Sequence, residues 1–303
     1  MKNNPFFSVI LPTYNRSGFI GKAIDSVLTQ IFTDFELIII DDGSTDNTKE
    51  VVSSFSDERI SYYYQKNQER SVSRNNGIQK AQGTYICFLD SDDYFLPSHL
   101  SVLYANIEKN NFTIALFHTY QQYVRNGRVE DMICYDNYIN HDLLETDCRL
   151  INNVWLFSPS IQTTAIHKNI CSNILFDSYP IPFECYEFMG RVAAFYNVVK
   201  IPEKTVLMQL HENNSTVYDV RFLESSKTAF EYILSSSIYS NIKNHFSVKE
   251  KFYSIYIGLA DCYSRSGNKI VASKYLLKGL LYKTNFKNIR QLLGIARNVF
   301  LFK

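Results

Sequence analysis

Three carboxylates, Asp90, Asp92 and Asp93, stand within four positions of one another. Charges that close repel, so the cluster is stable only with water, hydrogen-bond donors or a cation at hand. Oxygen donors of this kind suit Mg²⁺ or Mn²⁺, and such an ion commonly completes its shell with substrate phosphates. The element that must carry them lies directly upstream. Tyr85 to Leu89 is a short apolar run with aromatic and β-branched members, preceded by Gly83. That is the profile of a strand buried in a sheet covered on both faces. The acids then sit at its carboxyl end, with Pro97 close behind. An acidic loop that merely caps the next helix would look the same, so the decision falls to the rest of the chain.

Two other polar turns follow apolar strands. Phe7–Leu11 runs into Pro12-Thr13-Tyr14-Asn15-Arg16, and Phe35–Ile40 runs into Asp41-Asp42-Gly43-Ser44-Thr45-Asp46. Between them Ile20, Ile24, Val27, Leu28 and Ile31 recur at helical spacing, with Ser17 as the expected N-cap. Val51, Val52 and Phe55 mark a short helix, Ile60–Tyr64 a third strand, and Val72–Gln82 a further helix. Strand and helix alternate as in βαβ units, which predicts a mainly parallel, Rossmann-like sheet flanked by helices. A ligand of such a sheet binds at the carboxyl ends of its strands, where all three polar clusters fall. Further on, Thr113–His118 is an expected strand, Asp131–Pro159 a long polar-aromatic connection, and Glu187–Tyr196 a helix with a Glu187–Arg191 pair. Beyond Tyr218 the strands vanish. Stripes at Phe252–Tyr263, Ala272–Leu280 and Ile289–Phe300 predict a helical appendage, with Gly267 ending one helix.

Taken together, Ser8-Val9-Ile10-Leu11-Pro12-Thr13-Tyr14-Asn15-Arg16, the Asp41–Asp46 turn and Asp90-Ser91-Asp92-Asp93 resemble the family 2 glycosyltransferases. These are GT-A-fold enzymes, mostly inverting and mostly using nucleoside-diphosphate sugars. The resemblance spans roughly residues 6–216 and is closest over the first hundred. It implies a catalytic domain at 1–218, with a nucleotide-binding half at 1–100 and an acceptor half at 101–218, followed by the helical region 219–303. It also implies that Pro12, Thr13, Tyr14, Arg16 and Asp42 hold the nucleoside of a UDP-sugar. Asp90, Ser91 and Asp92 would then meet ribose and diphosphate. Ser73-Arg74-Asn75-Asn76-Gly77 matches the family's Ala-Arg-Asn-x-Gly helix start. The implied metal, Mn²⁺ or Mg²⁺, falls to Asp92 and Asp93, with His211 matching the family's late histidine. Side-chain chemistry agrees. A carboxylate at Asp42 can accept from a uracil N–H, a Tyr14 ring can stack on a base, and Arg70 and Arg74 can neutralise phosphate.

The departure from the family is at Glu184-Cys185, where an aspartate usually follows the glutamate and acts as base. Inverting transfer needs a carboxylate to take the acceptor hydroxyl's proton. A thiol of ordinary pKa, about 8.5, is mostly protonated near neutrality. Glu184 is the expected substitute, ahead of Asp177 and Glu187, and the alternative is a nucleotide-sugar-binding protein that has lost its base at Cys185. Other nucleotide chemistries fit less well. A sugar nucleotidyltransferase would carry a glycine-rich phosphate loop after the first strand, where this chain has no glycine until Gly18. A haloacid-type phosphatase needs two aspartates spaced by one residue in its first strand.

Lys and Arg total 31 against 30 for Asp and Glu, so the molecule is nearly neutral. That balance is uneven, because Cys262–Lys303 holds nine basic residues and no acid. A basic helix with an apolar stripe reads as a membrane-surface element, and the absence of an aromatic–basic groove argues against nucleic acid. The six cysteines are scattered, which predicts reduced thiols rather than a disulfide framework or a zinc site. No apolar run reaches the ~18 residues of a spanning helix. The expectation is a cytoplasmic enzyme, peripheral on the inner face of the cell membrane, acting on a glycan or lipid-linked acceptor.

Overall fold

The computed structural model describes residues 4–131, 160–177, 183–211, 219–242 and 246–282. The described residues belong to two compact units, one reaching His211 and the other made of Phe183 with the helices beyond residue 218.

The first unit opens with β1 (Phe7–Thr13), α1 (Ile20–Leu28), β2 (Phe35–Asp41), α2 (Thr48–Ser53), β3 (Ile60–Tyr64), α3 (Arg70–Lys80) and β4 (Tyr85–Phe88). It continues with β5 (Tyr94–Phe95), α4 (His99–Lys109), β6 (Ala115–Arg125), β7 (Arg128–Asp131), β8 (Thr164–His167), α5 (Lys168–Asn173), α6 (Glu184–Phe195) and β9 (Asn197–Gln209). Its strands form one sheet in the order β3-β2-β1-β4-β8-β6-β9-β5, with β7 on β6. The half from β3 to β4 is wholly parallel, and β8 then enters antiparallel beside β4. This is the expected mixed α/β class with helices along a mainly parallel sheet.

The strands read as unbroken apolar runs because both faces are covered. Val9, Leu11, Leu37, Ile39 and Cys87 pack into one core with Ile20, Ile24 and Leu103. Their neighbours Ile10, Ile38, Ile40, Ile86 and Phe88 pack into the other with Ile78, Phe188 and Val192. That alternation is the period of a strand, with an apolar partner on either side. Helix α3 lies hard against β1, since a Cβ on Gly77 would stand 2.4 Å from Ile10. A side chain there would push away the helix that carries Arg70 and Arg74.

One expected boundary moves. Helix α1 begins at Ile20, with Phe19 before it and no side-chain cap. Ser17 is drawn elsewhere, its N–H donating to Asp46 Oδ2 at 3.1 Å. The turn after β1 takes those residues for contacts with the turn after β2. Strand β6 also runs well past His118, because β9 pairs along its length.

The second unit holds α7 (Val220–Ser235), the 3₁₀ segment Ser237–Ile242, α8 (Phe246–Arg265) and α9 (Lys269–Leu281). Asp219 caps α7 and Asn268 caps α9. Gly267, at φ +82°, makes the turn between α8 and α9. Ile257, Ala260, Ala272 and Leu276 form the core between them. Phe183 belongs to this unit through ring contacts with Phe222 and Phe230.

Candidate active site

The turns after β1 and β2 are stitched into one support. Asn15, at φ +50°, donates its N–H to Ser44 Oγ and accepts from Thr45 N–H through Oδ1. Arg16 N–H donates to Thr48 Oγ1. Asp46 completes the seam; burial opposes its ionisation, but hydrogen bonds from Thr48 and Ser17 outweigh that and hold its carboxyl at about 2. On this support the Tyr14 side chain is 46% exposed. Pro12 and Thr13 are placed differently, as the buried last residues of β1 in register with Ile40 and Asp41.

The paired acids after β2 divide their work. Asp41 is structural, accepting from Ser44 N–H at 2.8 Å and from the Tyr62 hydroxyl at 2.6 Å. Asp42 is held through Oδ1 alone, by Gln65 Nε2 at 2.7 Å and Gln68 N–H at 2.9 Å. Its Oδ2 has no hydrogen bond among the described residues.

The three acids after β4 likewise have three environments. Asp90 accepts from Arg74 Nη2 at 2.8 Å and from Gln162 Nε2 at 2.9 Å. Asp92 Oδ2 lies 3.1 Å from His211 Nε2 and 3.7 Å from Arg16 Nε. Asp93 is buried, accepting from Gln209 N–H through Oδ1 and from Gln162 Nε2 through Oδ2. Burial first, and then Asp90 and Asp92, push its carboxyl well above the usual range. Ser91 is buried among them.

This geometry tests the fit of a divalent ion. Asp92 and His211 bring one carboxylate and one imidazole together at the ends of β4 and β9. The His211 ring is stacked on Phe19 at 4.8 Å, which fixes its plane. Among the described residues no three His, Cys, Asp or Glu side chains converge as a metal group. Two protein donors fit an ion that takes its other ligands from diphosphate and water, and the imidazole favours Mn²⁺ over Mg²⁺. Asp93 fits that role less well, because it is buried and each of its oxygens already accepts a hydrogen bond from the fold.

Arginine 74 sits at the centre of a buried ion cluster. Its side chain is 1% exposed, with Nη1 on Glu184 Oε1 at 2.9 Å and Nη2 on Asp90. The Phe176 ring lies 5.4 Å from the guanidinium. The expectation that Arg74 neutralises phosphate thus meets a side chain turned inward, onto two carboxylates. Arg70 is the half-exposed one, with Nε 3.3 Å from Glu184 Oε1.

Glu184 is the first residue of α6, and all its hydrogen bonds and ion pairs among the described residues go to Oε1. The third donor there is Cys185, with Sγ at 3.8 Å. Burial pushes the Cys185 thiol above its ordinary range, so it stays protonated and is no base. Glu187 is committed to Arg191 through both oxygens.

Sequence reading missed the amides. Gln65, Gln162 and the Gln209 N–H are what orient Asp42, Asp90 and Asp93, and none belongs to a motif. Only a lone Gln in the stretch leading into an apolar strand marks Gln162 as unusual.

A parallel sheet whose carboxyl ends gather Asp42 and the Asp92–His211 pair, extended by antiparallel strands, defines a GT-A architecture. Solved structures agree. The mannosyltransferase PcManGT of Pyrobaculum calidifontis, in complex with GDP-Man and Mn²⁺, matches with a TM-score of 0.65 at 14% identity, over 99% of this chain and 88% of that one. S. aureus TarS 1–349, in complex with UDP-GlcNAc, matches with a TM-score of 0.61 at 21% identity, over 97% and 81%. The family follows from sequence: the glycosyl transferase family 2 profile matches residues 8–169, and the chain belongs to that family. A putative colanic acid biosynthesis glycosyl transferase of Escherichia coli, WcaA, is 39% identical over 132 residues, which is 43% of this chain and 47% of that protein. The matched stretches cover less than half the length of the curated relatives, and as little as 18%.

Proposed function

We propose that this glycosyltransferase moves a hexosyl or N-acetylhexosaminyl group, with inversion, from a UDP-sugar to a hydroxyl of a glycan or lipid-linked acceptor in bacterial surface polysaccharide synthesis. The observation that carries the reading is the Asp92–His211 pair, brought together across 119 positions of sequence at the strand ends. In this reading Asp42 accepts the uracil N–H through its open Oδ2, and the Tyr14 ring stacks on the base. Asp90, already fixed by Arg74, offers its remaining lone pairs to the ribose. Arg16 and Arg70 face the diphosphate. A bound Mn²⁺ or Mg²⁺, held by Asp92 and His211, would supply the positive charge that a departing diphosphate requires.

Glu184 is the proposed base. Two arginines anchor it through Oε1, which leaves Oε2 to take the acceptor hydroxyl's proton as that oxygen attacks the anomeric carbon. The decisive assay is UDP release from a panel of UDP-sugars. Turnover should require Mn²⁺ or Mg²⁺ and be lost in Asp92→Asn with the fold retained. Undiminished turnover in EDTA refutes the metal role. Binding of UDP without any turnover, across acceptors, would leave a binding protein that has lost its base.

Attachment to the inner face of an anionic membrane belongs to the same proposal. On α9 the residues Ala272, Leu276 and Gly279 face the core. On the opposite side Ile270 is 85% exposed, Leu277 60% and Leu281 84%. Helical spacing sets Lys274 and Lys278 beside that stripe. No helix among the described residues is long and apolar enough to cross a membrane.

A further inference from the structure

We infer that Gln162 is a positioning residue of the transfer site, a joint that aligns Asp90 and Asp93 and so couples the nucleotide side of the site to its base side. The inference rests on the proposed role of Asp90 as a nucleotide contact.

Topology puts Gln162 there. Strand β8 runs antiparallel to β4, with Tyr85 opposite His167 and Cys87 opposite Ala165. Carrying that register three residues on from Cys87 and three back from Ala165 brings Asp90 opposite Gln162. The residue lies in the single 3₁₀ turn Ile161–Thr163 that leads into β8. That turn satisfies its own carbonyls, as the Thr163 hydroxyl donates to Ser160 O and the Thr164 hydroxyl to Ile161 O. The Gln162 amide is therefore free to serve the site.

Its orientation is fixed at both ends. The Ser160 hydroxyl donates to Gln162 Oε1, which turns Nε2 toward the acids. Nε2 then donates to Asp90 Oδ2 at 2.9 Å and to Asp93 Oδ2 at 2.7 Å. The side chain is almost fully buried. Two carboxylates this close repel strongly in a low-dielectric setting, and a shared donor relieves that without introducing a competing charge.

The contacts extend beyond the pair. On one side Asp90 holds Arg74, which holds Glu184. On the other, Asp93 holds the N–H of Gln209, two residues before His211. Among the described residues, Gln162 is the single side chain that joins the two runs. With it gone, the backbone bond from Asp93 N–H to Asp90 O remains, but among the described residues the Asp90 carboxylate is held only by Arg74 and the Asp93 carboxylate only by the Gln209 N–H.

The test is a double-mutant cycle on UDP binding, by calorimetry with Mn²⁺ present. Gln162→Met keeps the length and volume but removes the donor. It should fold with a near-native circular dichroism spectrum and bind UDP about tenfold more weakly or worse, the range for a lost hydrogen bond to a charged group. Asp90→Asn should weaken binding as well, and the double variant should cost less than the product of the two single changes, because the two share one contact. Wild-type affinity in Gln162→Met, or costs that multiply in the double variant, would overturn the inference. Should Gln162→Met fail to fold, the exchanged pair Gln162→Glu with Asp93→Asn restores one amide facing one carboxylate. It should bind UDP better than Gln162→Glu alone, and equal affinities would overturn the inference. Failure of the wild type to bind UDP would refute the donor instead, and the same cycle read in thermal midpoints still decides Gln162.

Discussion

Glu184→Gln separates binding, stability and proton transfer in one substitution. The amide has the size of the carboxylate and its Oε1 can still accept from Arg74 and Arg70. Oε2 is replaced by an NH₂ that cannot take a proton. Arg74 keeps its second carboxylate, Asp90, at 2.8 Å. The stability cost therefore falls below the ~3–5 kcal/mol of a buried ion left with no partner, and a figure of about 1–3 kcal/mol for a weakened charged hydrogen bond applies. In a unit of this size that lowers the thermal midpoint by roughly 2–4 °C per kcal/mol. UDP affinity should change only modestly, since Glu184 touches the nucleotide side through Arg74 and Arg70 alone and the amide oxygen can still accept from both. Turnover should fall on the order of 10²–10⁴-fold, as for other lost general bases. The assay is UDP release under saturating donor, alongside calorimetry with UDP. Cys185→Ser serves as the control and should be nearly silent, because the thiol is already protonated. If position 185 were instead the vacant seat of the base, Cys185→Asp would raise turnover while Glu184→Gln changed nothing. Full turnover in both Glu184→Gln and Cys185→Ser would refute both arrangements.

Two further outcomes are expected. Burial lowers the His99 imidazole to about 3, so between its unfolded value of about 6.5 and that point only the unfolded chain binds the proton. The contribution is fully present above pH 6.5 and is lost as the pH falls, by about 1.4 kcal/mol between pH 7.5 and 5.5. Denaturant titrations should show that loss in the wild type but not in His99→Asn, and equal slopes would refute it. On α9, Leu277→Glu with Lys274→Glu should abolish co-sedimentation with anionic liposomes while leaving neutral liposomes unbound. Negligible binding by the wild type to either would remove the membrane reading.

The half of the fold from β1 to β4 was legible because its information is local. Each strand from β1 to β4 is an apolar run closed by a polar turn, and the turns themselves name the site. What the sequence could not show is which partner each charged residue takes. Arg74 looks like a phosphate ligand in its motif, but α3 faces inward at that position and Glu184 arrives from 110 residues away. Asp93 looks like a third metal ligand, but β9 ends where its amide meets that carboxylate. Gln162 depends on the register of β8, an antiparallel strand that no periodicity announces. Ser17 had the right type for a helix cap and lost the position to the seam between two turns. The Asp131–Pro159 connection beyond its first residue, Cys134, Cys148, the Ile289–Phe300 stripe and the basic positions past residue 282 lie outside the described residues.

The distances along the chain between partners have a consequence for how the protein is made. Asp90, Asp92 and Asp93 leave the ribosome after Arg16 and Arg74 but long before Gln162, Gln209 and His211. Gln162 follows Asp90 by 72 residues, Gln209 follows Asp93 by 116, and His211 follows Asp92 by 119. At roughly 5–20 residues per second, the wait for His211 is on the order of 6–24 s. Strands β1 to β4 need only short crossovers and can pair in that interval, whereas closing the site requires long-range contacts whose loop entropy is met late. The acidic end of β4 therefore spends the interval in water, and the transfer centre is the last part of its unit to close. A nascent chain halted after residue 169, where the family profile ends, would carry the Asp42 turn complete but neither Glu184 nor His211.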